Sequence, residues 1–329
     1  MVVMKGTLDV FPPEFLERLK RIIPAQQWEL VLSTFEQPKP TSFRVNTLKA
    51  DPATVCGELM TQGFVVDPVA WCPTAYILRQ KRLADLQETR GYKEGELYVQ
   101  SLSSLLPVLL LDPQPGEQIL DVAAAPGGKT SHIACLMRGQ GRLVANDHNR
   151  IRFYKLQATV RQQGVSFAQL TRRDGASFGR TDAGRFDRVL VDAPCGTEGR
   201  FYTGRASSYD YWRPRKIHEM LIKQRRLILA GAQALRPGGM MVYSTCTFAP
   251  EENEGVVSWL MREHPGVVGL EPIESPIPNT MAGLPNWEHV VFDASIHRTI
   301  RVLPTLEMEG FFLAKFCKLL QNTSESHHR

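Results

Sequence analysis

Between residues 118 and 245 the chain alternates short apolar runs with helical stretches, and few architectures accept that pattern. Residues 118–122, 142–145, 167–171, 186–191 and 240–243 are runs of β-forming residues, while residues 129–137, 150–163 and 215–235 carry apolar side chains at helical spacing. Strands separated by helices of this length are joined by right-handed crossovers, which makes a sheet mostly parallel and covered on both faces. The pattern therefore predicts an α/β fold with a doubly wound, Rossmann-like sheet. In such sheets ligands gather at the carboxyl ends of the strands.

The flanking segments divide the rest. Residues 10–35 read as helices, with Phe15, Leu19, Ile22 and Ile23 at helical spacing behind Pro12 and Pro13. Pro38 and Pro40 break the pattern, and residues 42–90 then read as a small α/β unit of RRM-like type. It has a strand at 43–46, a helix after Asp51-Pro52, and strands at 64–66 and 76–78. A strand at 97–99 and an apolar helix at 100–111 open the large domain; a helix at 252–261 and a terminal strand at 309–319 add antiparallel edge strands. The expected division is a helical segment at 1–37, a small accessory module at 38–96, a large domain at 97–320 and a disordered polar tail at 321–329.

Composition narrows the class of partner. The six cysteines form no CxxC pair, so no metal site is expected and a reduced, cytoplasmic compartment is. No apolar run reaches the ~18 residues of a membrane span, so no membrane partner is expected. The net charge is +5, and basic clusters interleave with aromatics at Arg200-Phe201-Tyr202 and at 209–212. That mixture suits phosphate neutralisation and base stacking; it equally describes a charged surface with aromatics packed beneath it.

The strand ends carry the chemistry-bearing residues. After the first strand comes Asp121-Val122-Ala123-Ala124-Ala125-Pro126-Gly127-Gly128-Lys129-Thr130, small residues at a strand-to-helix turn that let a ligand approach the backbone. The turn is neither a GxxxxGK[ST] phosphate loop nor a GxGxxG dinucleotide fingerprint. The second strand ends at Asp147, where an acid meets ribose hydroxyls in nucleotide-binding sheets, and the third ends near Asp174, in reach of an adenine amino group. Both acids also fit a helix N-cap. Together they describe a site for an adenosine cofactor without a triphosphate, for which S-adenosylmethionine fits best. The fourth and fifth strands each deliver a cysteine to the same edge, in Asp192-Ala193-Pro194-Cys195 and Ser244-Thr245-Cys246-Thr247.

These motifs, with Pro250-Glu251-Glu252-Asn253-Glu254, the stretch 40–47 and the stretch 309–312, resemble the Sun/Fmu (RsmB/RsmF-like, NOP/Sun) family of S-adenosylmethionine-dependent RNA cytosine-5 methyltransferases. The resemblance covers nearly the whole chain. It implies that residues 38–96 are an RNA-binding module ahead of a Rossmann-like methyltransferase domain that makes 5-methylcytosine in RNA, ribosomal ahead of transfer RNA, acting as a monomer. It implies Cys246 as the thiolate that adds to carbon 6 of cytosine, Cys195 as the group that promotes loss of the carbon 5 proton and release, and Asp192 against the cytosine edge. Cofactor contacts carry over to Ala124, Ala125, Pro126, Gly127, Gly128, Lys129, Asp147, Arg152, Asp174 and Asp192, with Lys129 also able to pair with a neighbour. Local positive charge or a helix N-terminus should favour the Cys246 thiolate. Gly196 stands where serine is common in the family, which should loosen the loop beside the base. The competing reading is a noncatalytic RNA-binding or assembly factor that keeps the fold; binding alone requires neither cysteine nor Asp192.

Overall fold

The computed structural model describes residues 8–320, so the expected polar tail at 321–329 lies outside the described residues. Ser42–Val45 (β1), Val66–Val69 (β2), Cys72–Leu78 (β3) and Leu97–Val99 (β4) form an antiparallel sheet in the order β2-β3-β1-β4. The helix Pro52–Thr61 joins β1 to β2, and the short helices Leu83–Gln87 and Arg90–Lys93 join β3 to β4, which is the split β-α-β connection of RRM-like modules. Asp51 starts the longer helix by accepting the N–H groups of Ala53 and Thr54 at 3.0 and 3.2 Å. β2 begins and ends later than its apolar run suggested, because it includes Pro68. A proline fits an edge strand, where the missing donor costs no ladder bond. Residues 97–99, placed by the sequence at the start of the large domain, instead pair with β1 through Phe43↔Val99 and Arg44↔Tyr98. The chain leaves the small sheet only at Gln100.

Gln118–Asp121 (β5), Arg142–Asn146 (β6), Ala168–Thr171 (β7), Phe186–Asp192 (β8) and Leu235–Thr245 (β9) are parallel and lie in the order β9-β8-β5-β6-β7. Beyond β9 the chain adds Val268–Glu271 (β10), Thr280–Ala282 (β11), the small ribbon Asn286–Trp287 (β12) with Val290–Val291 (β13), Ile300–Val302 (β14) and Phe311–Lys318 (β15). β15 runs antiparallel between β9 and the pair β14 and β10, so the terminal strand expected at an edge is interior. Phe312, Leu313, Ala314 and Phe316 are accordingly buried. β9 starts at Leu235, ahead of its apolar run, because Arg236 to Gly239 are absorbed in a bulge where the register with β8 shifts between Phe186 and Arg188.

Both faces of the large sheet are covered. Leu106, Val108, Leu111, Ile133, Ala134, Leu156 and Val160 cover one, from the helices Leu106–Leu111, Gly128–Leu136 and Arg150–Gln162. Pro214–Ala234, Glu254–Glu263 and the N-terminal Pro13–Ile22 supply the other. The N-terminal helices do not pack on the small module. Phe15 lies 4.9 Å from Phe201 and 5.8 Å from Trp212, and Phe11 lies 4.9 Å from Tyr209, ring centre to ring centre. Three aromatics of the basic loop are thus core residues, and of the bases-or-core alternatives the second holds for them. Tyr211 remains exposed.

Candidate active site

Adjacent parallel strands bring the two cysteines together. β8 and β9 are in register at Asp192↔Ser244, and the Ser244 hydroxyl donates to Asp192 Oδ1 at 2.8 Å. Cys195 and Cys246 follow just beyond these ends, and their sulfurs are 3.5 Å apart. The Gly199 N–H donates to the Cys246 carbonyl at 2.9 Å. A Cβ on Gly199 would come within 2.3 Å of the Gly310 carbonyl oxygen, so only glycine permits this approach.

The segment Pro250-Glu251-Glu252-Asn253-Glu254 fastens both cysteine loops. Asn253 Nδ2 donates to the Thr247 carbonyl at 2.9 Å beside Cys246, and the buried Glu252 carboxylate accepts the Gly196 N–H at 3.0 and 3.2 Å beside Cys195. Gln224 Nε2 donates to Glu252 at 2.6 Å and to the Pro194 carbonyl at 2.9 Å. The loop expected to be loosened by Gly196 is instead held through its backbone N–H, and a Cβ at this position would fall 2.8 Å from Glu252 Oε1. Burial, then the neighbouring Glu198 charge, pushes the Glu252 carboxyl well above the usual range. Glu252→Ala is expected to cost about 1–3 kcal/mol for each buried donor left unpaired, read as a lower urea midpoint. An unchanged midpoint would remove Glu252 from this role.

A cavity of about 470 Å³ opens at this edge, a volume suited to a small organic ligand. Ala124, Ala125, Pro126, Gly128, Lys129, Arg152, Asp192, Cys195 and Cys246 line it, as do Tyr98, Gln100, Ser104, Asp121, Lys155, Arg200 and Phe311, to which the sequence reading gave no role at the cavity. Lys129 Nζ donates to Asp192 Oδ2 and to Ser104 Oγ, both at 2.7 Å. Asp121 is buried, accepts the Thr130 hydroxyl at 2.7 Å, and has its other oxygen unpartnered among the described residues. Burial pushes its carboxyl up to about 7.

Asp147 is buried at the end of β6, accepting the Asn149 N–H at 2.9 Å and facing Arg152 at 3.3 Å. Arg152 donates onward to the Ala125 carbonyl at 2.7 Å. Asp147 thus stands behind the lining rather than in it. Asp174 is further removed: it caps Ala176 N at 3.0 Å and pairs with Arg226 at 2.7 Å on the surface. Gly127 lies outside the lining as well. The structure brings the glycine turn, Lys129, Arg152, Asp192 and the two cysteines together and leaves Asp174 apart.

Electrostatics separate the thiols. The Cys195 thiol is pushed well up, first by its hydrogen bond to Cys246 and then by burial. The Cys246 thiol is lowered, first by the same bond and, against burial, by the Arg200 guanidinium. Cys246 is the sulfur that ionises first, with Cys195 donating to it. Arg200 is held in place by Glu309 at 3.1 Å; the sequence showed it only as one member of a basic cluster, and its position depends on the loop folding back. A thiolate is the reactive form, so Arg200→Gln is expected to move the acidic limb of the rate–pH profile upward by about one unit. An unmoved limb would separate Arg200 from Cys246 ionisation.

Similar proteins share this frame. The family model for 16S rRNA methyltransferase RsmB/F matches residues 108–317, and that for the N-terminal domain of 16S rRNA methyltransferase RsmF matches residues 11–102, which takes in β4. The chain is 34% identical over 313 residues to the ribosomal RNA small subunit methyltransferase F of Cronobacter sakazakii, covering 93% of this chain and 63% of that protein. It thus spans less than two thirds of the length of the curated relatives it matches. A methyltransferase homologue from Pyrococcus horikoshii is 31% identical with a TM-score of 0.82, covering 96% of this chain and all of that one. NSun6 from Pyrococcus horikoshii, solved with SFG, superposes with a TM-score of 0.78 over 95% of this chain and 100% of that one; at 23% identity it shares the fold alone.

Proposed function

Since the chain belongs to the RsmB/F family of 16S rRNA methyltransferases, we propose that it forms 5-methylcytosine in ribosomal RNA, with S-adenosylmethionine as methyl donor and a transient bond from Cys246 to carbon 6 of the cytosine. The observation that carries this reading is the pair of sulfurs 3.5 Å apart at the rim of the cavity, with Asp192 beside them. A binding factor has no use for two thiols in contact. The residues fit the cofactor: buried Asp121 has an oxygen without a partner, and Asp192 and Lys129 offer opposite charges to an amino acid end. Gly128, Ala124 and Ala125 would flank it, and Asp147 would reach the ribose through a modest side-chain movement. When bound, S-adenosylmethionine supplies an electrophilic methyl group.

The chain's own residues prepare the base. Cytosine carbon 5 is a weak nucleophile until a thiolate adds at carbon 6 and makes an enamine. Arg200 favours that thiolate on Cys246, and Asp192 holds the base edge where N3 gains a proton. Once Cys246 is bonded to carbon its negative charge is gone, and with it the foremost reason that the Cys195 thiol resists ionisation. Cys195 can then give up its own proton to solvent and, as thiolate, take the carbon 5 proton; the C–H electron pair restores the ring double bond, the carbon–sulfur bond breaks, Cys246 leaves as thiolate, and N3 returns the proton it gained. A target inside a helix must first be turned out. Exposed Arg205, Arg213 and Arg215, with Tyr211, provide a basic face for the opened strand.

The test is a methyl-transfer assay on small-subunit ribosomal RNA and, in parallel, transfer RNA, followed by nucleoside analysis. Labelled 5-methylcytidine from the ribosomal substrate is expected. RNA that is bound but unmethylated would favour the noncatalytic factor, and label on transfer RNA alone would move the substrate class.

A further inference from the structure

The small module does more than sit beside the large domain. Arg44, in its central strand β1, is among the largest fully buried side chains, and among the described residues no carboxylate lies in salt-bridge range of it. Its guanidinium instead reaches the N-terminal turn of the helix that follows the cofactor loop. It donates to the Gly128 carbonyl at 3.2 Å and Ser131 Oγ at 2.5 Å, contacts Cys135 Sγ at 3.5 Å, and is steadied by Gln100 Oε1 at 3.0 Å. A cation without a counter-charge is costly to bury, so its place needs a reason beyond packing.

Its neighbours supply one. Tyr98, opposite Arg44 in β4, stacks on the guanidinium and presses on the glycine turn: a Cβ on Gly128 would fall 2.7 Å from its ring. On the other side, a Cβ on Gly127, whose φ is +111°, would fall 3.0 Å from Thr159 of the helix Arg150–Gln162. The closest approaches to these glycines therefore come from protein atoms, one set belonging to the small module. A second clamp holds the far end of that same helix, where Asn46 Nδ2 donates to the Gln163 carbonyl at 2.8 Å and Lys49 Nζ to the Gln162 carbonyl at 2.7 Å. From the end of β4 the chain runs through Val99, Gln100 and Ser101, all in the cavity lining.

We propose that the small module forms the rear wall of the cofactor cavity and that Arg44 is the positioning residue that locks the glycine turn against it, so that cofactor binding and docking of the module stabilise one another. The proposal rests on the reading of this cavity as the cofactor site. Coupling of this kind is reciprocal: whatever loosens the module weakens the cofactor, and the cofactor tightens the module.

The experiment uses the full chain and S-adenosylhomocysteine as probe, with calorimetry and hydrogen exchange. In the unmodified protein, saturating S-adenosylhomocysteine is expected to slow amide exchange at residues 42–46 and 97–101 as well as at 124–129. Arg44→Met is expected to weaken its binding, and to raise the KM for S-adenosylmethionine, by about tenfold, with kcat at saturation changed by less than about threefold; Arg44→Lys should recover part of the loss. Slowing confined to 124–129 in the unmodified protein overturns the proposal even if Arg44→Met fails to fold. So does a folded Arg44→Met that binds within about twofold of the original. An unmodified protein that binds no S-adenosylhomocysteine overturns the cofactor reading and the proposal with it.

Discussion

Cys195→Ala is expected to accumulate RNA bound covalently through Cys246, and Cys246→Ala to lose turnover by a factor on the order of 10⁴ or more. Without Cys195, addition at carbon 6 and methyl transfer still proceed, because the Arg200 guanidinium still draws Cys246 toward the thiolate, now against the larger opposing effect of burial. What is lost is the acceptor for the carbon 5 proton, and the carbon–sulfur bond cannot break until that proton leaves. A denaturing gel with labelled RNA reads the difference: a retarded band for Cys195→Ala, absent for Cys246→Ala and for the double variant. A band that persists without Cys246, or its absence in Cys195→Ala, would sink the division of roles. The removal of Cys195 also deletes a hydrogen bond that lowers Cys246, so adduct formation in Cys195→Ala should need a higher pH than turnover does in the unmodified protein.

The largest loss of stability is expected at Arg301, far less conspicuous in the sequence. Arg301 in β14 donates from Nε and Nη2 to the two carboxylate oxygens of Glu254, both at 2.6 Å, and from Nη1 to the Phe248 carbonyl at 2.9 Å; both side chains are buried. The pair therefore closes the segment 248–254 that steadies the Cys246 loop. Breaking one partner of such a pair costs about 3–5 kcal/mol, because the survivor is left charged in a dry site. Arg301→Met should show that loss in the urea midpoint. Arg301→Met combined with Glu254→Leu should recover much of it, since an apolar replacement of both partners leaves no orphaned charge. A double variant no more stable than the single one would mean that the Phe248 carbonyl contact, rather than the ion pair, matters most.

How much of this was legible beforehand follows from the range of the interactions involved. The parallel core was readable because each strand and helix announces itself by local periodicity, and the cysteines could be placed at one edge because both follow such strands. The start of β9 was not, since Pro237-Gly238-Gly239 has the local signature of a turn and only the pairing with β8 turns it into a bulge. Nor was the membership of residues 97–99, which have no preference between sheets until Arg44 and Tyr98 meet across a ladder. Asp174 illustrates a motif with two meanings: an acid after a strand caps a turn as readily as it meets an adenine, and here it caps. Arg200, Glu252 and Arg44 act through partners between 28 and 109 positions away. Such side chains look, in one dimension, like any other charged residue.

The aromatic seam between the N-terminal helices and the loop at 201–212 has a consequence for synthesis. The apolar face of Pro13–Ile22 is covered by Phe201 and Trp212, which emerge from the ribosome nearly two hundred residues later. At 5–20 residues per second that is a wait of roughly 10–40 seconds, during which Phe11, Phe15 and Phe35 have each other but not their final cover. Residues 13–22 are thus made long before their cover, and their unfinished face is the kind of surface that chaperones shield.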